Sequence, residues 1–85
     1  MEITDKQLGL LAHLLGRSGI APKEEWTLPN GKTVKSIEPT MQKIKQLSSG
    51  EASELIALFA PWRESEAIRD LDLPRYYLIK KGIII

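Results

Sequence analysis

No cysteine occurs in the chain, so neither a disulfide nor a thiolate metal site can help to hold it together. That absence is compatible with a reducing compartment. There is one histidine, His13, and no second one to complete a transition-metal site. No acidic cluster has the spacing of a calcium loop, so neither a metal nor any other cofactor is expected. Apolar runs are short: none approaches the roughly 18 residues that a membrane span needs, and no membrane partner is expected. The N-terminus, Met1-Glu2-Ile3-Thr4-Asp5, is acidic and polar, unlike a signal peptide; the expected setting is the cytoplasm. A large charge of one sign is also missing. The net charge is +1 and the isoelectric point about 8.0, below the strongly basic range of a dedicated nucleic-acid binder.

What is present is ordinary globular composition, with 42% hydrophobic and 27% charged residues over 85 positions. This argues against a disordered chain and for one small domain spanning residues 1–85. The near-neutral total hides a segregation. Residues 32–47 carry Lys32, Lys35, Lys43 and Lys45 against Glu38, whereas residues 51–72 carry six acids against Arg63 and Arg69. The tail beyond Leu73 holds Arg75, Lys80 and Lys81 and no acid.

Two segments read as capped helix starts. In Thr4-Asp5-Lys6-Gln7 and in Ser48-Ser49-Gly50-Glu51, a hydroxyl residue precedes Gln or Glu by three positions and an apolar run follows, the pattern of a capping box. After Thr4, Leu8, Leu11, Ala12 and Leu15 form one stripe, widened by Leu10 and Leu14, with Gly16 and Gly19 as the stop. After Ser48 the stripe is Ala52, Leu55, Ile56 and Phe59. Between them, Glu38-Pro39 opens a short helix lined by Met41, Ile44 and Leu47. Pro61 ends the second capped helix and starts a further turn with Trp62, Ala67, Ile68 and Leu71, which Leu73-Pro74 breaks.

Residues 26–37 change period. Trp26-Thr27-Leu28, Pro29-Asn30-Gly31 and Lys32 to Ile37 read as strand, turn and strand, with Asn-Gly the favoured pair for a tight hairpin; a structured loop with one turn is the alternative. The tail, residues 76–84, is rich in strand formers. It reads either as a third strand beside the hairpin or as an unpaired edge awaiting a partner. Since a lone hairpin is marginal, pairing is favoured. The expected architecture is α+β, with three to four short helices on a small antiparallel sheet of the hairpin, about residues 26–37, and the C-terminal strand, about residues 76–84. Its expected core is Leu8, Leu11, Leu15, Trp26, Val34, Ile44, Leu55, Ile56, Phe59, Ile68 and Leu78.

No catalytic pattern stands beside these elements. The serines lack a nucleophile-elbow context, and Gly16-Arg17-Ser18-Gly19 lacks the lysine and hydroxyl pair of a phosphate loop. The carboxylate pairs Glu24/Glu25, Glu64/Glu66 and Asp70/Asp72 read as solvated faces. An enzyme is not expected.

Thr4-Asp5-Lys6-Gln7 with Leu8, Leu11, Leu15 and Gly19-Ile20, followed by Leu47-Ser48-Ser49-Gly50-Glu51-Ala52-Ser53-Glu54-Leu55-Ile56, resembles a short helical module with the pattern T-x-K-Q…E-A-S-x-L-I. Such modules occur at the ends of phage recombination and single-strand-annealing proteins and as small phage proteins. The resemblance covers about residues 4–20 and 47–56 and implies a role in phage or mobile-element DNA metabolism. With the small size, the segregated charges and the apolar tail, residues 76–85, the leading expectation is a non-catalytic module of this phage or mobile-element type that binds a host or phage protein, with Tyr76, Tyr77, Ile83 and Ile84 of that tail as candidate contacts. The alternative is an accessory nucleic-acid binder using Lys32, Lys35, Lys43, Lys45, Arg75, Lys80 and Lys81, and self-association through the C-terminal segment is a third reading.

Overall fold

Thr4 and Ser48 start their helices by the same device. Each is extended, its hydroxyl accepts from the backbone of the third helical residue, and the side chain of that residue, Gln7 or Glu51, accepts from the cap's own backbone amide. Two of the amides that a helix start leaves unpaired are thereby satisfied. These boxes begin α1 (Asp5–Ser18) and α3 (Ser49–Leu58) in the computed structural model, which describes the whole chain, Met1–Ile85. Gly19, in the left-handed region at φ 74°, closes α1, while Gly16 lies inside the helix.

Three prolines mark helix starts. Pro39 and Pro61 stand in the first turns of α2 (Glu38–Ile44) and α4 (Ala60–Ser65), and Pro74 in the first turn of α5 (Asp72–Lys80). Amides of a first turn have no intrahelical acceptor, so the missing proline N–H costs nothing there. A 3₁₀ turn, Ile68–Leu71, leads into α5.

Strands β1 (Glu24–Thr27) and β2 (Thr33–Ser36) form an antiparallel hairpin with Trp26 opposite Val34. The turn differs from a two-residue Asn-Gly connection. Leu28 donates to Lys32 and Gly31 donates to Leu28, which places Pro29 and Asn30 at the turn's centre. Only Gly31, at φ 86°, is left-handed. The fixed φ of Pro29 suits the first central position, and the Asn30 side chain accepts from the Lys32 amide at 3.0 Å.

The architecture is a small α+β domain, with helices packed beside this two-stranded sheet. The expected C-terminal strand is not formed. Residues 76–80 belong to α5, and the sheet has no third member. Tyr, Leu and Ile favour strands by propensity, but Leu71, Pro74 and Leu78 are buried at helical spacing, and tertiary burial of that stripe overrides propensity.

The core holds Leu11, Leu14, Leu15, Ile44, Leu55, Phe59 and Leu78, all essentially inaccessible, together with Met41, Leu47, Ala52, Trp62, Leu71 and Ile83. Leu8 and Ile56 pack against its rim and Trp26 is half-buried. Two expected core members lie outside. Val34 is exposed because the hairpin turns most of its residues to solvent, and Ile68 is 76% exposed on the 3₁₀ turn. The helix expected to carry Ile68 inward ends at Ser65, where Glu66 adopts φ 54° and reverses the chain.

Candidate interaction surface

The charged and aromatic residues singled out in the tail are placed by α5 and by the turn after it. One side of α5 is fastened to α3. The Tyr77 hydroxyl donates to the Glu51 carbonyl oxygen at 3.2 Å and approaches Glu54 Oε2 at 3.5 Å. Lys81 Nζ lies 2.6 Å from Glu51 Oε2 and 5.5 Å from the centre of the Tyr77 ring. Leu78 is completely buried.

These contacts perturb three titrations. The Glu51 carboxyl is held at about 2, below its ordinary 4.5, by the hydrogen bond from Lys81 and then by those from Ser48. The Lys81 ammonium is raised by the same carboxylate, and Tyr77 is raised chiefly by burial. A cluster of shifted groups is one mark of a catalytic site. Here each shift has a structural cause: Glu51 completes the cap of α3, and Lys81 and Tyr77 clamp α5 to it. No three His, Asp or Glu side chains come together as a metal site.

The tail after α5 turns back into the domain. Ile83 is 5% exposed within the core and Ile84 packs against it. The Ile83 and Ile84 amides donate to the Leu78 carbonyl oxygen, and Lys43 Nζ approaches the Ile83 carbonyl oxygen at 3.5 Å. Of Tyr76, Tyr77, Ile83 and Ile84, only Tyr76 stands free, at 65% exposure.

The opposite face of α5 carries what the sequence reading did not single out. Leu73 is 59% and Ile79 44% exposed, flanking Tyr76. Asp72 and Lys80 stand exposed at the helix ends. On a helix, Leu73, Tyr76 and Lys80 follow one another at spacings of three and four and share a face. That signal is present in the sequence, but reading the segment as a strand conceals it.

Lys43 lies between two of the other cations, lining one depression with Lys81 and Glu51 and a second with Arg75. Lys32 follows the hairpin turn and Lys35 lies on β2, both exposed. Lys43 and Arg75 line an open cleft of about 480 Å³ with Thr40, Ile20 and the last isoleucines, and Glu24 enters the same cleft. Lys45 borders a different depression, beside Glu2 and Glu51. Two of the cations already have partners: Lys81 pairs with Glu51, and Arg75 Nη1 lies 3.6 Å from Asp72 Oδ1. Lys80 is exposed at the end of α5.

No helix is long and apolar enough to cross a membrane. No protein-family model, curated protein or solved structure matches the chain.

Proposed function

We propose that this chain is a non-catalytic interaction domain that binds a protein through the open face of α5. The setting is the phage or mobile-element DNA metabolism implied by the resemblance of residues 4–20 and 47–56. The observation that carries this reading is the row Leu73, Tyr76 and Ile79, turned to solvent on a helix whose other side is firmly held. Scattered exposed apolar residues are normal, but a row of them with an aromatic at its centre marks a contact surface. The clamp of Tyr77 and Lys81 on α3 fixes the face before binding, which lowers the ordering cost of association.

The test is affinity capture from a lysate of the source organism, with wild type and Tyr76→Asp as paired baits of equal helicity. Specific proteins held by wild type and lost by the variant support the reading. Identical recovery on both baits, or none on either, counts against it.

A second reading, accessory nucleic-acid binding, draws on the convergence of Lys43 and Arg75 in one cleft. Its mark is affinity that falls steeply with salt. Lys43→Glu with Arg75→Glu then weakens binding and flattens the salt slope; affinity unchanged by both substitutions removes this reading.

A further inference from the structure

We propose that the partner covering the α5 face in the isolated protein is a second copy of this chain, paired antiparallel about a two-fold axis through Tyr76. The inference rests on the reading of α5 as the contact face and names its occupant.

A two-fold interface must be complementary to itself, and the order of residues on α5 meets that requirement in one direction only. Leu73 and Ile79 lie equally far before and after Tyr76, and so do Asp72 and Lys80. Antiparallel pairing centred on Tyr76 therefore sets Leu73 against Ile79 of the second copy and Asp72 against Lys80, and does each twice. Parallel pairing sets Asp72 against Asp72 and Lys80 against Lys80, which is repulsive. Antiparallel helices also bring the positive end of each helix dipole beside the negative end of the other.

The groups needed are free to meet a neighbour. The Asp72 side chain is 77% exposed despite its approach to Arg75, Lys80 is exposed, and Tyr76 is the most exposed aromatic of the molecule. Asp72, with Asp70 on the 3₁₀ turn before it, makes this face a poor fit for nucleic acid. The helix has nine residues, about 13 Å of length. The interface is thus small, and the expected association is micromolar or weaker.

The test is sedimentation equilibrium over a concentration series, with near-ultraviolet circular dichroism as the check of folding. Wild type is expected to pass from a 9.6 kDa monomer to twice that mass. Asp72→Lys and Lys80→Glu each weaken association at least tenfold. An equimolar mixture of the two regains it, because in a mixed pair the introduced lysine faces the introduced glutamate while the native Lys80 faces the native Asp72. Tyr76→Asp abolishes association in either setting. Wild type that stays monomeric throughout overturns the proposal, as does a mixture that associates no better than its components.

These failures are separable from a failure of the interaction reading. A monomer that still captures a foreign protein in a Tyr76-dependent way overturns the self-pairing alone. A monomer whose captures ignore Tyr76 overturns both.

Discussion

Gln7 Nε2 donates to the carbonyl oxygen of Ser49 at 3.0 Å, so the residue that completes the cap of α1 also holds the first residue of α3. The same amide reaches Ser53 Oγ at 3.0 Å, while Gln7 Oε1 accepts from the Thr4 backbone. Nearby, the Ser49 amide donates to the Met1 carbonyl oxygen, and Glu2 bridges to Ser48. The two capped helix starts are thus joined to one another, and α1 and α3 pack as one unit.

Because Gln7 serves both helices, its removal should cost more than removal of the Thr4 hydroxyl. Thr4→Ala is expected to destabilise by about 1 kcal/mol, and Gln7→Ala by about 1–2 kcal/mol. Gln7→Glu keeps the acceptor of the cap but cannot donate to Ser49, and should fall between the two. Urea denaturation of the three variants checks the order.

The pairing of Glu51 with Lys81 gives stability a defined acid dependence. The folded carboxyl titrates at about 2 against an ordinary 4.5, so its contribution is complete above the ordinary value and is lost as pH falls toward 2. Lys81 is raised, so its contribution is complete below its ordinary value and is lost only as pH rises through the raised one. Glu51→Gln should accordingly narrow the stability gap between pH 6 and pH 2, and Lys81→Met should narrow it less, since the Ser48 bonds remain. Urea midpoints across that range decide the matter, and equal slopes in all three proteins would contradict the assignment.

The adjacent tyrosines should respond differently to loss of the hydroxyl. Tyr77→Phe removes the bond to the Glu51 carbonyl oxygen and should cost about 0.5–1.5 kcal/mol. The Tyr76 hydroxyl bonds to nothing within the chain, so Tyr76→Phe should leave the melting temperature unchanged.

Burial predicts a similar contrast among the apolar residues. Leu11→Ala or Leu55→Ala, both at fully inaccessible positions, should cost about 2–5 kcal/mol. Ile68→Ala, on the exposed 3₁₀ turn, should change stability by no more than about 0.5 kcal/mol.

The tail should behave as core and not as a detachable edge. Ile83→Ala is expected to cost about 2–5 kcal/mol, and deletion of residues 82–85 at least as much. Neither change touches the outer face of α5, so the association measured by sedimentation should persist wherever the domain remains folded.

Local rules made much of this fold legible. Thr4/Gln7 and Ser48/Glu51 are satisfied within one turn of chain, so the starts of α1 and α3 needed no knowledge of the rest of the molecule. The hairpin was legible for the same reason, because Pro29, Asn30 and Gly31 close it with contacts a few residues apart. Its finer form differs from the Asn-Gly pattern: that pair fits a two-residue turn, but the turn here is centred one position earlier, on Pro29 and Asn30. The candidate contact surface was less accessible. Tyr76 is exposed, while Ile83 and Tyr77 face inward, and Leu73 and Ile79 come to the surface beside Tyr76 only because the segment is helical.

The sequence by itself determined the helix caps, the hairpin and the α+β class, since each depends on residues that interact with near neighbours. Only the tertiary structure decided the fate of residues 76–84. The intrinsic preference of residues 76–84 is for strand, but Leu78 is buried in the core with Leu71 and Pro74, and Tyr77 and Lys81 meet the start of α3. Burial of that stripe and the long-range clamp outweigh a propensity difference of about 1 kcal/mol or less per residue. The face left outward on α5 is a consequence of that competition.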